Sequence, residues 1–105
     1  MTDNQPWSEQ YRVVAKLWVD ADAAANLLEE TKSAVLARLM AKEGDMPVSR
    51  AEMNVKASKE WSDFLSSMID ARKQATFLKV KVEYIRMKFM EWNSENATRR
   101  AEMKL

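Results

Sequence analysis

Between Met68 and Trp92 the chain returns to an apolar or small residue in alternating steps of three and four: Met68, Ala71, Ala75, Leu78, Val82, Ile85, Phe89 and Trp92. A stripe of this period runs down one side of a helix, and its strict alternation is how two helices pack along a shared seam. Trp61, Phe64 and Leu65 extend the stripe backwards, so the pattern predicts a helix over about 58–103. Ser58 is placed to cap it, with Glu60 in the first turn, where a carboxylate is favourable to the helix dipole. Asn93-Ser94-Glu95-Asn96 weakens helix propensity without forcing a break. The segment from Ala97 to Leu105 continues the helix or frays.

A seam needs a partner, and the first part of the chain supplies one. Val14, Trp18, Ala21, Ala25, Leu28, Val35 and Leu39 follow the same alternation, interrupted only at Lys32, with Leu17, Ala24 and Leu36 widening the stripe. This predicts a first helix over about 7–42, entered at Pro6-Trp7 and capped by Asp3 or Asn4. Glu43-Gly44-Asp45-Met46-Pro47 is the one clear break, with the only glycine where a helix C-cap wants it. Ser49-Arg50-Ala51-Glu52 then matches a capping box and opens a short helix within a connection over about 43–57. The expected fold is all-α: a single domain over 1–105, built as a long antiparallel helical hairpin of coiled-coil type with a short connecting helix.

Charge supports folding back. Residues 1–48 carry a net −3, residues 49–70 a net −1 and residues 71–105 a net +5. Taking the seam as heptad a and d positions, Asp22 and Glu29 flank the first helix, while Arg72, Lys79 and Arg86 flank the second. An antiparallel pair sets Glu29 against Arg72 or Lys79, and Asp22 against Lys79 or Arg86. Exposed pairs contribute only about 0–1 kcal/mol each, so they select register more than they stabilise.

On the opposite flank Lys81 and Lys88 face Leu17 and Ala24 rather than acids. Leu17, Phe77, Tyr84 and Met87 lie off the seam, where a lone two-helix hairpin leaves them uncovered. Apolar patches of several hundred Å² mark partner surfaces. The expectation is a homodimer in which two hairpins form a four-helix bundle, with Phe77, Tyr84, Met87 and Leu17 at the dimer or partner surface.

Composition removes several function classes. The chain has no cysteine and no histidine. It therefore has no disulfide framework, no thiolate nucleophile, no Cys-based zinc site, and neither the commonest general base nor the commonest metal ligand. Asp20/Asp22 and Glu29/Glu30 invite a metal reading, but the di-iron bundle pattern needs Glu-x-x-His motifs, and a solvated or ion-paired face accounts for these acids. No cofactor motif is present, and the chain reads as not an enzyme. No apolar run is long enough to span a membrane, and the polar Met1–Pro6 segment is no secretory signal, which favours a cytoplasmic protein.

The remaining side chains have bland and sharp readings. Trp18, Trp61, Phe89 and Trp92 sit on the seam, so core packing is favoured over base stacking. The methionines suit an adaptable surface, yet Met68 fits the core and Met87 and Met90 flank it. Lys81, Lys88, Arg99 and Arg100 are the nucleic-acid candidates, but Glu83, Glu91, Glu95 and Glu102 are interspersed among them. No Gly-rich phosphate loop, helix-turn-helix spacing or zinc motif accompanies them.

Met46-Pro47-Val48-Ser49-Arg50-Ala51-Glu52 with Lys56–Trp61, and Glu83–Trp92 through Ala97–Met103, resemble small helical proteins encoded in early, recombination-associated regions of tailed bacteriophages and prophages. The resemblance covers about the last sixty residues, includes no catalytic motif and carries over no site residues. It implies a phage accessory role around DNA recombination or replication. The expected function is a non-enzymatic protein that binds another protein through a helical surface. The alternative is a nucleic-acid-binding helical module using the basic C-terminal segment.

Overall fold

The computed structural model describes residues 6–104. Among them the chain is all-α, with four helices in the order α1 (Trp7–Glu30), α2 (Lys32–Ala41), α3 (Val48–Lys56) and α4 (Lys59–Met103). The molecule is an extended rod, 84 × 21 × 16 Å. Its length comes from α4, whose 45 residues span about 68 Å at 1.5 Å per residue.

α4 begins as its sequence requires. The Ser58 side chain accepts a hydrogen bond from the Trp61 backbone N–H at 3.2 Å, satisfying one of the donors orphaned at a helix start. Glu60 lies in the first turn. The Asn93–Asn96 stretch is helical, and α4 continues to Met103; Leu105 lies outside the described residues.

α1 packs along α4 in reversed chain order. Val14 is buried with Leu78, Val82 and Ile85, and Trp7, Ala15, Trp18 and Ala21 close around them. Nearer the chain start, Trp7 shares a cleft with Trp92, and towards the end of α1 Asp22 and Glu29 reach back to Arg72. A second core forms at the other end of the rod. Leu39 of α2, Val55 of α3 and Trp61 of α4 are buried together, with Val35, Leu36, Met40, Phe64 and Leu65 against them.

Several local expectations need correction. The single helix over 7–42 is divided at Thr31, next to the Lys32 interruption of the stripe. Thr31 has φ −87° and ψ −2°, and its hydroxyl donates to the Leu28 carbonyl at 3.2 Å. Such back-bonding bends helices. Hydrogen bonds from Thr31 N–H to Leu27 O and from Val35 N–H to Thr31 O continue the helical pattern across this residue. The capping box at Ser49 does not form either. α3 starts two residues earlier than that motif implies, with Pro47 as its N-cap and no side-chain cap bond. Pro47, fixed at φ −57°, presents its carbonyl to the N–H groups of Arg50 and Ala51, so the helix is already under way where the box would have started it. Gly44 does punctuate the break, at φ +87°, where a side chain would be strained. The cap expected from Asp3 or Asn4 lies outside the described residues; within them Pro6 is the N-cap of α1.

Trp92 is the one seam aromatic that stays open. It is 49% exposed and stacks on Phe89, with ring centroids 6.3 Å apart. α1 starts at Trp7, opposite this level of α4, so the described part of α1 covers one side of Trp92 only. Ala24, expected to widen the stripe, is also exposed.

Candidate interaction surface

The periodicity that buries Leu78, Val82 and Ile85 turns other residues of α4 away from α1. Phe77, Tyr84 and Met87 are 63%, 52% and 62% exposed. Between them sits Val80, equally exposed and overlooked in the sequence reading. With it the residues read 77, 80, 84, 87, the same three-four-three alternation as the seam but on the opposite side of the helix. The signal was available, since a second stripe is visible as soon as α4 is tested for two seams. α4 is thus apolar on two faces, and α1 covers one.

Leu17 is exposed on α1 and does not belong to this stripe. Lys81 and Lys88, expected opposite it, are both half-buried. The Lys88 ammonium sits 5.8 Å from the centroid of the Tyr84 ring and 3.6 Å from the Glu91 carboxylate. A cation over an aromatic face gains electrostatic attraction from the ring quadrupole. Lys88 is thereby tied to its own chain and is less available to a phosphate than the sequence alone suggests.

Arg99 and Arg100 lie on the last turns of α4, past the level of Trp7, where they line a shallow cleft with Trp92, Asn93, Asn96 and Met103. Arg100 Nε donates to the Asn96 carbonyl at 3.3 Å. A second cleft, lined by Ser8, Tyr11, Arg86 and Phe89, lies between the start of α1 and α4.

Asp22 and Glu29, one from each of the acidic pairs that invite a metal reading, share an arginine instead. Arg72 donates from Nη1 to Asp22 Oδ1 at 2.7 Å, from Nε to Glu29 Oε1 at 3.0 Å and from Nη2 to Glu29 Oε2 at 2.7 Å. Asn26 Oδ1 accepts from Nη2 as well, at 2.6 Å. The Glu29 contact is the bidentate fork that arginine favours. Glu29 therefore meets Arg72 as the charge pattern predicts, whereas Asp22 takes the same arginine rather than Lys79 or Arg86. The planar guanidinium spans both carboxylates, which an ammonium cannot do in the same way. Among the described residues no group of three acidic side chains is arranged to hold a metal ion.

The hydrogen bonds from Arg72 hold the Glu29 carboxyl below its ordinary value, against some desolvation and the nearby Asp22 charge. A depressed carboxylate pKa contributes stability that is present above the unfolded value and lost as pH falls through the folded one. The melting temperature should therefore decline as pH drops below about 4, the ordinary glutamate range. In Glu29→Gln part of that decline should be missing. Thermal melts of both proteins across pH 2–7 check this, about one pH point at a time; identical pH profiles would remove Glu29 from the account.

No helix among the described residues is long and apolar enough to cross a membrane. Comparison of the chain with protein-family models, with curated proteins and with solved structures finds no match.

Proposed function

We propose that this chain is a non-enzymatic interaction module: an antiparallel helical hairpin that dimerises and presents helical surface to another protein. The reversed order of contacts between α1 and α4 supports the hairpin. The observation that carries the interaction reading is the uncovered apolar stripe of Phe77, Val80, Tyr84 and Met87. Isolated exposed apolar residues need no explanation, but a stripe at helical spacing is the form in which one helix receives another. In this reading the module acts in a phage or prophage setting, around DNA recombination or replication, as the resemblance of its second half implies.

A nucleic-acid reading has one observation in its favour: exposed Trp92 beside Arg99 and Arg100, an aromatic next to cations at an open end of the rod. Against it, Lys81 is half-buried and Lys88 is engaged with Tyr84 and Glu91.

Capture of tagged protein from its native host, with nuclease treatment in one arm, separates the two. A protein partner should survive nuclease and be retained by Arg99→Ala/Arg100→Ala, while Tyr84→Asp should lose a co-expressed second copy of the chain. Loss of every partner on nuclease treatment would favour the nucleic-acid reading instead.

A further inference from the structure

The uncovered stripe of α4 ends in charge on both sides. Extending its alternation by one step in each direction reaches Lys73 and Glu91, so the face reads Lys73, Phe77, Val80, Tyr84, Met87, Glu91, with steps of four, three, four, three, four. That spacing is unchanged when turned end for end. A second α4 laid antiparallel on the first therefore meets it in register. Lys73 falls opposite Glu91 of the second copy, Phe77 opposite Met87, and Val80 opposite Tyr84. By two-fold symmetry each contact occurs twice.

We propose that this face is covered by a second copy of the chain, α4 against α4, antiparallel, with the two-fold axis at the level of residue 82. The inference rests on the dimer reading above and specifies its face and register.

Charge decides the direction. In the antiparallel register both ends of the apolar stripe close with opposite charges face to face. A parallel pairing sets Lys73 against Lys73 and Glu91 against Glu91 at the same seam positions. It would gain flank contacts between Glu83 and Lys88, but seam residues point at each other, whereas flank side chains can turn to solvent. The antiparallel register has its own cost, since Lys81 and Glu83 lie near the axis and each approaches its symmetry mate. Both occupy flanks, where like charges cost a few tenths of a kcal/mol rather than the penalty of a seam position.

The rest of the face is compatible. One step further out, Asp70 falls opposite Ser94 and Ser66 opposite Thr98, so no like charges meet. The pairings inside the stripe set an aromatic ring against a thioether and a β-branched residue against a ring, both favourable contacts. Lys73 is exposed and makes no ion pair within the described residues, and Glu91, at the rim of the cleft that Trp7 lines, has one ion pair, 3.6 Å to Lys88. At 150–250 Å² for each aromatic side chain, the four apolar residues present on the order of 450 Å² per copy. Ile69 and Met90, also exposed, extend the apolar area on one flank. The total approaches the roughly 800 Å² per partner of a stable interface. In this assembly the two α4 helices lie inside and the α1 helices outside. Leu17 takes no part and stays open.

Sedimentation equilibrium of the full chain, its Lys73→Glu and Glu91→Lys variants and the double variant tests the register. Each single change should weaken dimerisation about ten-fold, from two lost pairs of about 0–1 kcal/mol. The double variant should return to wild type, and circular dichroism should show the same helix content throughout. The chain has no cysteine, so disulfide trapping reads the direction independently. Oxidation of Val80→Cys mixed with Tyr84→Cys should give mixed disulfides, with neither variant linking efficiently to itself. Self-linked dimers of each variant alone would overturn the antiparallel register. A dimer indifferent to both charge changes would overturn this interface while leaving dimerisation standing. A monomer at every concentration would overturn both.

Discussion

Trp61→Ala is expected to cost about 3–5 kcal/mol, the range for truncating a buried large aromatic side chain. Trp61 is buried between Leu39 and Val55, and its ring stacks on Phe64 with centroids 5.7 Å apart. What it holds is vulnerable. α2 has 10 residues and α3 has 9, and isolated helices shorter than about 12–15 residues are marginal in water. These two helices therefore persist because their apolar sides meet Trp61. The loss should be local before it is global, because the cluster of Val14, Leu78, Val82 and Ile85 shares no residue with the cluster around Trp61. Hydrogen exchange should show protection falling across residues 33–56 while residues 75–85 keep theirs. Equal loss along the whole chain would mean that the rod unfolds as one unit and that the two cores are energetically one.

The all-helical character of the chain and the extent of α4 were legible because they rest on periodicity, which is local and repeated. Eight seam positions predict the face of α4 that meets α1, and Ala75, Leu78, Val82 and Ile85 are buried there. Ser58 was legible for a different reason: an N-cap is a short-range pairing of side chain and backbone, complete within four residues. The departures come where two local solutions compete. Thr31 keeps its helical backbone bonds while its hydroxyl bonds back to Leu28, and whether that divides a helix depends on how the neighbouring turns pack. Ser49 can cap a helix, but Pro47, pre-set in φ, opens it two residues earlier.

The exposed apolar stripe of α4 was legible in part. Phe77, Tyr84 and Met87 fall off the seam by counting alone, and all three are exposed. Val80 was overlooked because a valine next to lysines looks like an isolated surface residue until it is counted with its neighbours. The charge register was half legible. Sequence places acids of one helix near cations of the other, but not that one guanidinium would take Asp22, Asn26 and Glu29 together. That convergence depends on side-chain reach and planarity, which heptad positions do not encode.

Ile85→Ala and Tyr84→Ala change adjacent residues on different faces of α4, and their consequences should separate. Ile85 is 2% exposed and packs with Val14, Leu78 and Val82. Its truncation should cost about 2–5 kcal/mol, the range for a large-to-small change in a packed core. That is a large share of the roughly 5–15 kcal/mol available to a small domain. The thinness of the rod aggravates the loss, since few other side chains cover the same stretch of seam. Tyr84 is 52% exposed and contributes little to the fold of one chain, so its removal should change monomer stability by no more than about 0.5 kcal/mol. Urea denaturation at low and high protein concentration distinguishes the two. Ile85→Ala should lower the midpoint at both concentrations. Tyr84→Ala should leave the dilute midpoint in place and abolish the increase that concentration brings to the wild type, because a dimer that binds only the folded state stabilises it by mass action. If Tyr84→Ala lowered the dilute midpoint as far as Ile85→Ala does, the second face of α4 would belong to the core of the single chain, and no partner would be needed to cover it.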